Sequence, residues 1–283
     1  MKKILVVGHV NIDYYGKISH NPVADGTSEI TEYSQSLGGT ATNIAMLASS
    51  KGADISIHSY VGKDFPLQYL NKLKEKKIDL KYLILTEGYS PQCWIFENKN
   101  GETYSFIYQG AMKKLPNYIP DGMVKNYDIL HLSTGDPVYI KKIHNEAMIQ
   151  RKIIMFDPGP EIRYNYTSEM FKDILKGCEF LFLNKFEESI AKKYLSIEED
   201  KEFVKYVPNC IVTLGKEGVK WISREEVLTF PTKPIVSPKT VGAGDAFRGA
   251  FLAEYSKGSS VESAIKEGQN EAYKFILNKS KGI

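Results

Sequence analysis

The chain has 283 residues, 42% of them apolar and 25% charged, with 37 Lys and Arg against 34 Asp and Glu. Such a chain can bury a sizeable core without disulfide or metal staples, and a net charge of +3 is too small to bind nucleic acid by electrostatics alone. Cys93, Cys178 and Cys210 lack the number and spacing of a disulfide framework or zinc site. No run approaches the ~20 apolar residues of a membrane span, and the apolar run at residues 4–7 is too short for a signal-peptide core. The expectation is a soluble cytoplasmic protein with no nucleic-acid or membrane partner.

Brief apolar runs at 4–7, 55–61, 129–132, 153–156, 180–183 and 211–214 predict strands, several of them buried on both faces. Amphipathic segments at 40–51, 65–77, 138–151, 167–176, 185–194, 245–257 and 261–278 predict the helices between them. Strand and helix in alternation specify an α/β domain with helices on both faces of a parallel sheet. One stretch breaks the rhythm. Residues 93–97 and 103–108 flank Asn98-Lys99-Asn100-Gly101, and the Asn-Gly pair predicts a hairpin because both residues tolerate positive φ. With short strands at 12–18 and 29–35, this predicts a small β lid built from about 12–36 and 88–110, integrated into a single domain spanning 1–283.

Five segments carry polar or glycine-rich chemistry. Gly242-Ala243-Gly244-Asp245 opens a helix, where unobstructed backbone N–H groups and the helix dipole make an anion hole, with Asp245 in the first turn. The same residues also suit a plain loop capped by Asp. Gly38-Gly39 precedes a helix carrying Asn43 one turn in; adjacent glycines let a ligand approach the backbone, or simply make a tight turn. Asn11 and Asp13 alternate onto one face just past the first strand, where open α/β sheets bind ligands and where an Asp can accept from two neighbouring hydroxyls. Asn184 and Glu187 follow the 180–183 strand at a spacing of three. They suit a hydrated Mg²⁺ or a local helix cap. Thr213-Leu214-Gly215-Lys216-Glu217-Gly218 is a strand end and a glycine-bounded turn. The five histidines show no ligand spacing and are read as structural or surface residues. There is no GxxxxGK[ST] and no GxGxxG after the first strand, which excludes a P-loop and disfavours a dinucleotide site.

The order of these elements resembles the ribokinase family, the phosphofructokinase B type of carbohydrate and nucleoside kinases, over nearly the whole chain. The resemblance implies a doubly wound, mostly parallel sheet with helices on both faces and a β lid. It also implies Mg²⁺-assisted transfer of the γ-phosphoryl group of ATP to a primary hydroxyl. By that resemblance Asp245 is the catalytic base, and Gly242, Ala243 and Gly244 with it form the anion hole. Asn11, Asp13, Gly38, Gly39 and Asn43 contact the acceptor hydroxyls. Asn184 and Glu187 meet the phosphates and the waters of the metal. Thr213, Gly215 and Gly218 wall the nucleotide, and Asn270 lies beside its adenine. Lys239 stands where the family usually has an acid that helps hold potassium, so activity is expected to be independent of that ion.

The acceptor is read from the lid. Trp94 and Phe96 share one face of the hairpin, and with Tyr108 they are expected to stack on a nucleobase. A nucleoside is therefore favoured over a free sugar (ribose, fructose or a 2-keto-3-deoxy acid), and a non-catalytic binding protein of the same fold is the remaining alternative. Phosphorylated acceptors would need a cationic group, for which Arg163 is the candidate. The lid's edge strands suggest a homodimer through the lid.

Overall fold

The computed structural model describes residues 1–113, 115, 116, 118–233 and 241–280; Lys239 and Thr240 lie outside them. The nine-stranded sheet comprises β1 (Ile4–Val7), β4 (Ile55–Gly62), β5 (Asp79–Thr86), β8 (Ile129–Leu132), β9 (Ile153–Phe156), β10 (Phe180–Asn184), β11 (Asn209–Thr213), β12 (Val219–Ile222) and β13 (Val227–Phe230), in the order β13-β12-β11-β10-β9-β8-β1-β4-β5. All neighbours from β11 to β5 are parallel; β12 and β13 add an antiparallel edge.

Side-chain alternation builds a core on each face. Ile4, Val6, Ile129, Phe180, Phe182 and Ile211 face one way, under α1 (Thr40–Ser50), α2 (Leu67–Glu75), α6 (Ala243–Ser256) and α7 (Val261–Ser280). Leu5, Val7, Leu130, Leu132, Leu181 and Val212 face the other, under α3 (Pro137–Ile149), α4 (Ser168–Leu175) and α5 (Lys185–Leu195). Strands apolar on both faces read as continuous runs, which is why these were visible in the sequence.

The lid is a four-stranded sheet of β2 (Asn11–Ile18), β3 (Ile30–Gly38), β6 (Gln92–Glu97) and β7 (Thr103–Tyr108), in the order β3-β2-β6-β7. Its hairpin differs in detail from the sequence reading. Pairing stops at Glu97 and Thr103, and of the Asn-Gly pair only Gly101 takes a positive φ, +78°. The Asn98 carboxamide organises the loop instead, accepting from the Asn100 and Glu102 N–H groups at 2.9 and 3.0 Å. An Asx-type bond thus replaces the two-residue turn. β5 and β13 were not anticipated. Both end the sheet, and half-exposed edge strands lack the uniform apolar signal of the centre.

Candidate functional site

β1 pairs with β4 on one side and β8 on the other, so the chain changes direction across the sheet at β1. Such a switch point opens a crevice beyond the carboxyl ends of the strands. A cleft of about 780 Å³ lies there. The segment after β1 contributes His9, Asn11 and Asp13, the start of α1 Gly39 and Asn43, and the start of α6 Gly242 and Asp245. Cys93, Ile95, Ser105 and Ile107 roof it from the lid, and Thr134, Glu161 and Phe275 close its sides.

The paired glycines are required by what they touch. Gly38 lies opposite Asn11 in the lid ladder, and a Cβ there would run into the Asp13 carboxylate. Gly39 has φ +97°, and its Cβ would meet the His9 carbonyl and, at 2.8 Å, the Asn11 amide. Backbone therefore packs directly on Asp13, which is only 8% exposed. Its Oδ1 and the Asn11 Oδ1 are buried without a hydrogen-bond partner, two acceptors facing a cleft that can supply donors. Burial, above all, lifts the Asp13 carboxyl to about 6; the Asn11 hydrogen bond opposes this and the Asp245 charge adds to it. The raised carboxyl makes ionised Asp13 a destabilising group above pH 6, with no penalty below its unfolded value. Asp13→Asn is therefore expected to stabilise the free protein at pH 8 by up to about 3 kcal/mol, at ~1.4 kcal/mol per pKa unit, and to have little effect at pH 4. Urea unfolding at the two pH values checks this; equal effects at both would contradict it.

Asp245 sits in the first turn of α6. Gly242 precedes it with φ +91°, and a Cβ there would meet the Phe275 ring at 2.9 Å. The helical ladder begins with the Ala246 N–H to the Gly242 carbonyl, 3.0 Å, so the Ala243 and Gly244 amides have no acceptor within the helix. Asn43 Nδ2 donates to Asp245 Oδ2 at 2.8 Å. The close approach of α1 and α6 makes this bond possible: a Cβ on Gly249 would lie 2.7 Å from the Ile44 carbonyl. A carboxylate fixed by an amide, beside an N-terminal helical turn and across from two orphan acceptors, can orient a hydroxyl and take its proton next to a bound anion.

Behind the turn lies a buried ion pair. Arg248 Nη2 donates to Asp157 Oδ1 at 2.9 Å, Nε also faces that carboxylate, and His131 Nε2 lies 3.7 Å from its other oxygen. Arg248 raises no steric conflict with Gly244 only because glycine stands there: a Cβ would lie 2.7 Å from its Nη1. Asp157 is held below the usual carboxylate range by Arg248 and His131 against the opposing effect of burial.

Asn184 and Glu187 form the local cap that the sequence left as an alternative. Asn184 Oδ1 accepts from the Phe186 and Glu187 amides, and the Glu187 carboxylate accepts from the Asn184 amide and Nδ2, each carboxylate bond 2.8 Å. Asn184 is the register partner of Thr213 at the carboxyl ends of β10 and β11. Gly215 and Gly218 have φ +62° and +102°, and a Cβ on Gly218 would collide with the Phe230 carbonyl. These residues and Glu187 flank the cleft without lining it. Asn270 is exposed on α7 and does not line it either.

The lid hairpin turns its aromatics away from the cleft, not toward it as the sequence suggests. Cys93 and Ile95 face the cleft, so Trp94, Phe96 and Tyr108 lie on the opposite face of the lid. There Tyr14 stacks on Trp94 with centroids 4.1 Å apart, and Phe96 meets Phe106 edge-on at 6.3 Å. Both alternations of the hairpin are largely apolar, so period two alone did not say which side faced in. Arg163 is also displaced from the cleft, its guanidinium 4.2 Å from the Phe186 ring centroid. His9 is not a surface or merely structural residue. It lines the cleft, bonded to Thr134 Oγ1 at 3.0 Å and Gln109 Oε1 at 2.5 Å. It shares the alternation of Asn11 and Asp13, a signal available in the sequence. Glu161 and Cys93 were also missed. Burial, with the Asp13 charge, pushes the Cys93 thiol up to about 12, so it is a neutral wall and not a nucleophile.

The chain is 31% identical over 267 residues to a nucleoside kinase of Methanocaldococcus jannaschii, covering 93% of this chain and 86% of that protein. It is 28% identical over 266 residues to a nucleoside kinase of Methanothermobacter thermautotrophicus, covering 93% and 85%. The crystal structure of the M. jannaschii nucleoside kinase, described as an archaeal member of the ribokinase family, superposes with a TM-score of 0.85 over 96% of this chain and 90% of that one, at 30% identity. The pfkB family carbohydrate kinase profile matches residues 1–281, and the chain belongs to that family of phosphotransferases.

Proposed function

We propose that this protein transfers the γ-phosphoryl group of ATP to the 5′-hydroxyl of a nucleoside. The observation that carries the reading is the pair of orphan acceptors, Asn11 Oδ1 and Asp13 Oδ1, in the same cleft as the Asn43-bound Asp245 carboxylate. Two adjacent ribose hydroxyls offer the donors those acceptors need, and holding them directs the primary hydroxyl at Asp245. Asp245 takes the hydroxyl proton as the oxygen bonds to the γ-phosphorus and the bond to the β-phosphate oxygen breaks, releasing ADP. The Ala243 and Gly244 amides receive the charge of the transferred group. The relatives' names, nucleoside kinase in both cases, support a nucleoside over a free sugar.

Magnesium fits this site only through water. Glu187 is buried with both oxygens already accepting from Asn184, and no group of three or more acidic, His or Cys residues among the described ones is arranged to hold a metal. The free lone pairs of Glu187 and Asn184 suit metal-bound water. When bound with the ATP phosphates, the ion would supply charge neutralisation.

Among the described residues no helix is long and apolar enough to cross a membrane. The outer face of the lid carries Tyr33 and Phe106, 59% and 60% exposed, beside Trp94 and Phe96, and β7 is an unpaired edge. This face is the proposed contact of a homodimer. Phe106→Arg is expected to shift the protein to monomer in analytical ultracentrifugation. A dimer of undiminished affinity would place the contact elsewhere.

The acceptor reading is tested by ³¹P NMR of the product from adenosine, cytidine, guanosine and uridine. A 5′-monophosphate is expected. Phosphorylation of ribose or fructose alone would replace the nucleoside by a free sugar.

A further inference from the structure

Glu161 is an acid of the cleft that takes no part in the phosphoryl transfer proposed above. It is 2% exposed yet lines the cleft. Its Oε2 accepts from the Gly135 N–H at 2.5 Å and its Oε1 from Gln109 Nε2 at 3.2 Å. Gln109 Oε1 in turn accepts from His9 Nε2 at 2.5 Å. The amide oxygen can only accept, so the direction of this chain is set: His9 donates to Gln109, and Gln109 donates to Glu161. The relay locks the carboxylate in place. A carboxylate has about four acceptor positions, and the two bonds leave capacity facing the cleft.

The electrostatic setting gives this position its effect. Asp13 and Asp245 line the same cleft, with Lys76 the one lysine of its described lining, so Glu161 adds a third acid and leaves the lining acidic. Past Ser105 and Ile107 the cleft adjoins a second cavity of about 630 Å³, also lined by Gln109. Its charged lining among the described residues is one of each sign, Lys113 and Asp136. The acceptor's far end, remote from the hydroxyl that Asp245 addresses, must lie in this direction or against the lid.

We propose that Glu161 sets the acceptor class, admitting uncharged acceptors that present a hydrogen-bond donor at this end of the cleft and excluding those that carry a phosphate or carboxylate there. This rests on the cleft being the acceptor site. An amino-bearing base such as cytosine supplies the donor; ribose 1-phosphate, with the same 5-hydroxyl, places a dianion where the base would be. At the ~10 Å scale of the cleft and an effective dielectric near 20, repulsion per unit charge is worth at least about tenfold in affinity.

The test measures binding by calorimetry and turnover by ADP release for cytidine, ribose and ribose 1-phosphate, with the full-length protein and its Glu161→Gln variant. The variant is expected to raise binding and kcat/KM for ribose 1-phosphate relative to ribose at least about tenfold and to weaken the preference for cytidine over ribose. Glu161→Asp, which keeps the charge, should retain the exclusion. Ile107→Lys places a cation at the exposed lid side of the same end and should relax it even if Glu161→Gln does not fold. Unchanged ratios in a folded Glu161→Gln, or in Ile107→Lys, would overturn the proposal. Absence of nucleoside turnover in the unmodified protein would overturn the kinase acceptor instead, and the binding ratios would still decide the role of Glu161.

Discussion

Asp245→Asn is expected to lower kcat by about 10²–10⁴-fold, the range for loss of a positioned general base, with little change in the KM for the acceptor. The substitution keeps shape and removes proton affinity. The acceptor is held elsewhere, by Asn11 and Asp13, whose oxygens are the unpartnered ones. Asn43 Nδ2 donates to Asp245 Oδ2 in the native site, and an asparagine at 245 can still offer an oxygen to it after an amide flip. The anion hole is unaffected because its donors are backbone amides before Ala246. A drop in binding as large as the drop in kcat would show that Asp245 holds the acceptor instead of activating it. Single-turnover kinetics with calorimetric acceptor binding separates the two.

Arg248→Met is expected to destabilise the protein by about 3–5 kcal/mol, the cost of stripping one partner from a buried ion pair. Asp157 is 1% exposed, and without Arg248 the titratable group left against it is His131, whose pKa burial lowers. The carboxylate would lose the guanidinium that faces it through Nη2 and Nε. The double variant Arg248→Met, Asp157→Leu removes both charges and should recover much of the loss, since buried pairs replaced together by apolar groups are often near neutral. Denaturant unfolding of the two variants checks this. A single variant within 1 kcal/mol of the parent would mean that water or another cation already screens Asp157. The pair also bears on activity: Asp245 and Glu187 both face the Arg248 charge, and each contributes to raising its pKa.

Residues whose type and direction are fixed by backbone were legible in sequence. The central strands announced themselves because both faces are apolar, and Gly242-Ala243-Gly244-Asp245 because glycines at a helix start leave backbone amides open, although the same residues also suited a loop capped by Asp. Gly38 and Gly39 were legible for the same reason, although the collision that requires them, with Asp13 and the His9 carbonyl, needed coordinates. What failed was sidedness. Trp94 and Phe96 share one face of the hairpin, as period two demands, but Cys93 and Ile95 take the inner one. The lid carries aromatics on its outer face as well, several of them exposed, such as Phe106 at 60%, so hydrophobicity did not mark the inside. Glu161 and Gln109 escaped because their meaning lies in a relay joining residues 9, 109, 135 and 161, and no local spacing encodes such a contact. Asn184 and Glu187 show the opposite case: one spacing satisfied both a cap and a metal-water contact, and the cap is the arrangement formed.

The central claim is phosphoryl transfer from ATP to a nucleoside at Asp245, and its most direct test is ADP release. The protein and its Asp245→Asn variant are incubated with Mg²⁺-ATP and a panel of nucleosides and sugars, against a no-acceptor control. ADP formed with at least one nucleoside, absent without acceptor and lost in Asp245→Asn, is the predicted result. Acceptors that bind tightly with no phosphorylated product, or turnover that survives Asp245→Asn, would contradict it.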